Sequence, residues 1–236
     1  MTPNSSQSPR VWTIVPAAGV GARMRADRPK PYLRLGDRFL IDLTLERLLK
    51  VGRIDTIYLA LHPDDRWWGN TESASNGRIV PFTGGAERDD SVRAGLDQFR
   101  GRASPLDWVL VHDVARPCVR EADIDSLLDE LAENRVGGLL GAPLTDTIKE
   151  VGADGAVKAT ADRSRLWRAL TPQVFRFEVL DRALQSAREN SAKITDEASA
   201  VELLGLQPRL VAGCADNIKV TVPEDLALAA WILRGH

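Results

Sequence analysis

Residues 11–30 hold the first side chains that could do chemistry: Val11-Trp12-Thr13-Ile14-Val15, then Pro16-Ala17-Ala18-Gly19-Val20-Gly21-Ala22-Arg23-Met24-Arg25, then Pro29-Lys30. A short apolar run of β-formers that breaks into a small-residue loop carrying Arg and Lys is how a strand delivers its C-terminal end to an anion. Gly19 and Gly21 put no Cβ between backbone and ligand, loop amides can point at phosphate oxygens, and Arg23 and Lys30 add full charges. The spacing predicts a triphosphate cradle; the plainer alternative is a tight turn with two solvated cations. A Walker loop needs Gly-Lys-Ser/Thr, which is absent, and the dinucleotide fingerprint needs a small residue where Met24 stands. Both common phosphate loops are therefore excluded.

Four later stretches carry similar residue types. Thr83-Gly84-Gly85-Ala86-Glu87-Arg88 precedes a helix expected to start near Asp90-Ser91, with Ser or Asp as cap, and its two glycines mark a backbone that must come close to something. The buried run Trp108-Val109-Leu110-Val111 ends in His112-Asp113-Val114-Ala115-Arg116-Pro117. A carboxylate at the carboxyl end of a central strand can hold a hard divalent cation against phosphate oxygens, so Asp113 is the metal candidate, with a loop cap as its alternative. His112 is read as structural, and Arg116 follows Asp113 closely enough to reach the same anion. In Ile194-Thr195-Asp196-Glu197 the acids read as ordinary complements of a helix dipole, and Thr195 suits either a cap or a ligand contact. Lys219 lies in the apolar, β-favouring run 216–221, where a buried ammonium is costly, so it either snorkels to solvent or, as expected here, faces an anion.

Strands must alternate with helices to bring these groups together. Ile41, Leu45, Leu48 and Leu49 make one helical stripe; residues 54–61 return as a strand, 78–82 form the next, and 138–144 another. Ile124, Leu127, Leu128 and Leu131 mark a second amphipathic helix, and Leu180, Ala183, Leu184 and Ala187 a third. Residues 209–212 and 216–221 read as strands, and Pro223 opens a closing helix with Leu226, Ala229, Ala230 and Leu233 inward. The pattern predicts an α/β fold: a Rossmann-like, doubly wound, mostly parallel sheet with ligands beyond the strand C-termini. Residues 147–151 and 156–160 flank a glycine-containing turn and read as a hairpin. A lone hairpin is marginal in water, so it is expected to be a projecting arm that packs on a partner chain, giving a homodimer. Residues 64–77, with Trp67-Trp68, show no clean period and are left as an irregular loop or short helix. The expected organisation is one domain over residues 11–236, with 145–165 as the dimerisation arm and 1–10 disordered.

The 236 residues are 44% hydrophobic, with 31 basic against 33 acidic side chains and a formal charge of −2. That supports a substantial core and provides no basic field for nucleic acid. Cys118 and Cys214 have neither metal nor redox spacing and suit a reducing compartment. With no signal-type h-region and no run of ~20 apolar residues, no membrane association is expected and a cytoplasmic location is.

The pattern Ala-Ala-Gly-x-Gly-x-Arg-Met followed by Pro-Lys resembles nucleotidyltransferases that join a nucleoside triphosphate to a phosphorylated sugar or polyol. Together with residues 84–91, 112–117, Asp146-Thr147, 170–173, 194–200 and 216–221, it resembles the 2-C-methyl-D-erythritol 4-phosphate cytidylyltransferase family, over nearly all of residues 11–233. The resemblance implies that Arg23 and Lys30 stabilise the triphosphate and the transition-state charge. It implies that Ala17, Ala18, Gly19, Gly21, Gly84, Gly85 and Ser91 bind CTP, and that Asp113 stands near Mg²⁺, with Asp216 a second metal candidate. Arg163 and Lys219 would orient the methylerythritol phosphate, helped by Arg116, Thr147 and Thr195. The hairpin arm would cross a dimer, so that Thr147 and Arg163 serve the neighbouring site. Val114 stands where alanine is usual, Pro31 where glutamine is frequent and Ala86 where aspartate is often found.

The implied reaction is in-line attack of an acceptor phosphate oxygen on the α-phosphorus of CTP with pyrophosphate leaving. No covalent nucleophile is needed, because the acceptor is already anionic; the obstacle is repulsion between polyanions. Two alternatives compete: a cytidylyltransferase acting on ribitol 5-phosphate, and a catalytically idle CTP-binding module. The latter should have lost Arg23, Lys30 or Asp113, and all three are present.

Overall fold

The apolar runs become a seven-stranded sheet with helices on both faces. In this computed structural model residues 8–19 and 28–235 are described. Arg23 and Gly21 lie outside them. The chain runs β1 (Val11–Pro16), a small hairpin β2 (Arg34–Leu35) and β3 (Arg38–Phe39), α1 (Leu40–Lys50), β4 (Ile57–Leu61), β5 (Ile79–Thr83) and α2 (Arg88–Asp97). It continues with β6 (Trp108–Val111), α3 (Glu121–Glu130), β7 (Gly137–Pro143), β8 (Lys149–Val151), β9 (Val157–Thr160) and β10 (Trp167–Arg176). The last elements are α4 (Phe177–Glu189), α5 (Glu197–Leu203), β11 (Arg209–Ala212) and α6 (Pro223–Arg234).

The sheet order is β11-β7-β10-β6-β1-β4-β5. β1 pairs in parallel with β4 and β6, β4 with β5, and β7 with β11, while β10 is antiparallel to both neighbours. Because successive side chains along a strand point to opposite faces, the strands feed two cores. Val15, Leu59, Trp108 and Leu110 pack with Ile41, Leu45 and Leu48 of α1 and Ile124, Leu127 and Leu128 of α3. Trp12, Ile14, Val109 and Val111 pack on the other side with Val92 and Leu96 of α2 and with α4 and α5. Ile41, Leu45 and Leu48 are fully buried, each contributing about 1.5–3 kcal/mol relative to exposure. A third cluster joins Leu33, Leu35, Cys118 and Val220 to Ala229 and Ile232 of α6.

Three local expectations are corrected, at residues 216–221 and at the caps of α2 and α5. Residues 216–221 are not a strand: Ile218 N–H closes a tight turn on Asp216 O at 2.7 Å, and Val220 N–H reaches Ala115 O at 2.8 Å, so the segment is tacked across the strand ends. α2 is capped at Glu87, whose N–H bonds the Asp90 carboxylate at 3.4 Å. α5 is capped by Asp196 and not by Thr195, Asp196 Oδ1 accepting from Ser199 N–H at 2.9 Å. Residues 64–77 hold two single 3₁₀ turns, Trp68–Asn70 and Glu72–Ser75. Of residues 1–10, expected to be disordered, 8–10 are described, and Arg10 N–H is tied to Asp107 Oδ1 at 3.0 Å. Among the described residues β8 and β9 pair only with each other, and they are exposed along their whole length. Among the described residues no helix is long and apolar enough to cross a membrane.

Candidate active site

A cleft of about 270 Å³ opens beyond the carboxyl ends of β1 and β6. Ala17, Ala18 and Gly19 follow β1 into its wall; Lys30 and Pro31 close one side, and Gly85, Glu87, Arg88 and Ser91 another. Asp113, Val114, Ala115 and Lys219 line the rest. Open parallel sheets place ligands in such a crevice.

The Gly84-Gly85 turn brings backbone against the cleft. A Cβ on Gly84 would stand 2.7 Å from Ala18 Cβ and 2.9 Å from Ser91 Oγ, and one on Gly85 2.2 Å from Asp90 Cβ. Only glycine lets the chain enter α2 this tightly. Ser91 Oγ accepts from Gly85 N–H at 3.1 Å and donates to Glu87 O at 3.2 Å, so it fixes the turn as well as lining the cleft.

Asp113 is the electrostatic centre. Its Oδ1 accepts from Arg88 Nε at 2.9 Å and its Oδ2 from Lys219 Nζ at 2.7 Å, while Arg116 Nε lies 3.9 Å away. Burial alone would raise its pKa; the charges of Arg88, Lys219 and Arg116 outweigh burial and hold the carboxyl well below the usual range. Lys219 thus faces an anion, but an internal one. Arg88 also forks onto Glu197, at 2.5 Å to Oε1 and 2.9 Å to Oε2, a bidentate pair with a carboxylate only 1% exposed. Against the burial that would lower it, these two carboxylates raise the Arg88 pKa further above its usual value. Arg88, Lys219 and Arg116 against Asp113 and Glu197 leave one positive charge, which Glu87 in the cleft wall offsets, and Lys30 adds a further cation.

Behind this cluster a hydrogen-bonded lattice links most of the polar atoms, with Arg116 Nε and Asn217 Oδ1 buried without a hydrogen-bond partner among the described residues. Asp113 N–H donates to Thr171 Oγ1 at 3.1 Å, Thr171 Oγ1 meets His112 Nδ1 at 3.0 Å, and His112 Nε2 meets Arg116 O at 3.0 Å. Arg116 donates to Asn217 O at 2.7 Å, and Asn217 Nδ2 to Thr171 O at 2.7 Å. This lattice locks the β6 end to β10 and to residues 216–221, and His112 is part of it as a structural group.

Ala17, Ala18, Gly19, Gly85, Lys30, Ser91, Asp113 and Lys219 are therefore brought together, with Gly84 in the turn and Arg116 buried behind. Asp216 is not: it pairs with Arg120 and lines a separate hollow with Trp231 and Arg234. Thr147 and Arg163 are exposed on the arm, Arg163 donating to Thr145 O at its base, and neither lines the cleft of its own chain. Thr195 is exposed beside the α5 cap, its N–H on Ser199 Oγ at 3.0 Å. Arg88 and Glu197 are the residues that motif reasoning missed. The structure shows Arg88 as the first residue of α2, where a cation opposes the helix dipole, but the sequence reading starts that helix near Asp90-Ser91 and so carries no such signal.

A family model described as 2-C-methyl-D-erythritol 4-phosphate cytidylyltransferase matches residues 11–235. The chain belongs to that family. It is an enzyme of the cytidylyltransferase type. The protein of that name from Hahella chejuensis is 49% identical over 231 residues, covering 98% of this chain and 96% of the relative. The one from Pseudomonas entomophila is 49% identical over 92% of this chain and 93% of its own. Among solved structures, a 4-diphosphocytidyl-2C-methyl-D-erythritol synthase superposes with TM-score 0.83 at 33% identity, covering 97% of this chain and 100% of that one. The Francisella tularensis 2-C-methyl-D-erythritol 4-phosphate cytidylyltransferase does so with TM-score 0.81 at 34% identity over 94% and 99%.

Proposed function

We propose that the cleft transfers the cytidylyl group of CTP to 2-C-methyl-D-erythritol 4-phosphate, releasing pyrophosphate and the CDP-linked product of the non-mevalonate isoprenoid route. The supporting observation is the convergence of Lys30, Gly85, Ser91, Asp113 and Lys219 on one crevice in a chain matching the family over residues 11–235. Lys30, with Arg23, faces the triphosphate; Ala17, Ala18, Gly19, Gly84, Gly85 and Ser91 hold the nucleotide. Lys219 draws in the acceptor phosphate, and Arg116, buried behind the cleft, adds positive charge without lining it. An acceptor oxygen forms the new bond to the α-phosphorus as the bond to pyrophosphate breaks, and fixed cations lower the barrier by stabilising the charge that gathers there.

Asp113 suits magnesium, which is held by one or two carboxylates plus substrate phosphates and not by an all-protein cage. Each of its oxygens keeps lone-pair capacity beyond the single hydrogen bond from Arg88 or Lys219. Among the described residues no group of three or more acidic, His or Cys side chains forms such a cage, so the ion would arrive with CTP and supply further positive charge. Asp216 has no part in this site.

The arm at 145–165 is assigned to a homodimer in which Thr147 and Arg163 complete the partner's acceptor site. Val151 and Val157 are 58% and 61% exposed on it, and Trp167 at its base 40%. A monomeric sedimentation coefficient at micromolar protein would end that assignment. The substrate assignment is tested by pyrophosphate release with CTP, Mg²⁺ and either acceptor: turnover is expected with the methylerythritol phosphate. Faster release with ribitol 5-phosphate, or CTP binding with no turnover on either, would overturn it.

A further inference from the structure

The transfer chemistry leaves Trp67-Trp68 without a role, yet this pair packs against the segment that carries Lys30. The Trp67 ring stacks on Tyr32, with centroids 6.1 Å apart and planes 23° apart, and the Arg28 guanidinium lies 5.3 Å from the centroid of the same indole. The Tyr32 hydroxyl donates to Asp65 Oδ2 at 2.5 Å, while Asp65 Oδ1 accepts the backbone N–H of Trp67 at 3.0 Å and of Trp68 at 2.9 Å. Phe39 meets the Tyr32 ring edge-on at 6.2 Å. Tyr32 is 1% exposed; burial, and then the Asp65 carboxylate, raise its pKa, so the hydroxyl remains a proton donor.

Lys30 and Tyr32 belong to a single 3₁₀ turn, Lys30–Tyr32, closed by Tyr32 N–H to Pro29 O at 2.9 Å and Leu33 N–H to Lys30 O at 3.1 Å. Pro29 and Pro31 fix φ on either side of Lys30, so the backbone there moves as a rigid piece. One turn has no stability of its own, and its position is set by what its side chains grip. Besides Phe39, their grip is on Asp65 and Trp67, residues of a segment that itself lies outside the cleft.

We propose that Tyr32, Asp65 and Trp67 are positioning residues: they clamp residues 28–32 so that the Lys30 ammonium is already aimed into the cleft before CTP arrives. The proposal rests on the assignment of Lys30 to the triphosphate. A preorganised charge stabilises a transition state without reorganising during the reaction, and a displacement near 1 Å costs on the order of 10²-fold in rate.

The test measures kcat and KM for Tyr32→Phe, Trp67→Leu and Trp67→Phe, with the first two repeated in a Lys30→Ala background. Each protein is assayed at a temperature where circular dichroism reports it folded. Tyr32→Phe keeps the ring and loses only the bond to Asp65. Its kcat is expected to fall about tenfold with the KM for the acceptor held within about twofold, the signature of an interaction made in the transition state. Trp67→Phe is expected to recover most of the kcat lost in Trp67→Leu. In the Lys30→Ala background neither change should matter by more than about twofold, because residues acting through one group are not additive. Full turnover by Lys30→Ala would overturn the assignment of Lys30 itself. A slow Lys30→Ala with Tyr32→Phe and Trp67→Leu either unimpaired, or equally damaging in both backgrounds, would overturn the clamp alone.

Discussion

Acidification from pH 7.5 to 4.5 puts a proton in competition with one fully buried ring. His112 is 0% exposed, and Thr171 Oγ1, which already accepts Asp113 N–H at 3.1 Å, directs its own proton to His112 Nδ1 at 3.0 Å. That leaves the neutral tautomer with Nε2–H donating to Arg116 O at 3.0 Å. Burial, outweighing the carbonyl bond and the Asp113 charge and joined by the charges of Arg116 and Arg88, lowers the pKa from 6.5 to about 4. A folded pKa below the unfolded one means that the unfolded chain binds more protons between those values. His112 therefore contributes stability that is fully present above pH 6.5 and is lost as the pH falls toward 4. At 1.36 kcal/mol per unit the full loss is about 3 kcal/mol, of which roughly 2–3 kcal/mol appears by pH 4.5. Urea unfolding of the natural protein and of His112→Gln across this range isolates it, since carboxylates common to both cancel. The natural protein is expected to lose that much more than the variant. Parallel pH dependences would refute the neutral, buried assignment.

Arg88→Met leaves Glu197 buried without its bidentate partner, and removing one member of a buried pair costs about 3–5 kcal/mol by urea unfolding. Glu197→Gln added to it should recover part of that loss. Gly84→Ala drives a methyl to 2.7 Å from Ala18 Cβ and 2.9 Å from Ser91 Oγ. It is expected to destabilise by about 1–3 kcal/mol and to weaken CTP binding, read by calorimetry. Arg23→Ala is expected to lower kcat about 10³-fold with little change in CTP affinity, and near-normal turnover would remove Arg23 from the mechanism.

Much of the architecture was legible because each strand carries a dense apolar run. Residues 108–111 and 57–61 are buried end to end, as strands covered on both faces should be. The antiparallel setting of β10 was not legible, since its run Leu170-Thr171-Pro172-Gln173-Val174-Phe175 has the same composition whichever way it points. Residues 216–221 look like a strand by β-propensity, but the Asn217 side chain is spent on Thr171 O and only single backbone bonds hold the segment. In the site, glycines and small residues announced the cleft wall because close approach leaves a compositional mark. Arg88 with Glu197 left none: their meaning is a contact across 109 positions of sequence. Asp216 misled for the same reason, because its partner Arg120 is 96 positions away.

The central claim is that cations and amides beyond β1 and β6 let two mutually repelling phosphorylated molecules meet. A crystal structure with CTP and Mg²⁺ tests it most directly. The expected result has the triphosphate within hydrogen-bonding reach of Lys30 and the turn at Gly85, with the metal between its oxygens and Asp113. Nucleotide bound elsewhere, away from Lys30 and Asp113, would contradict it.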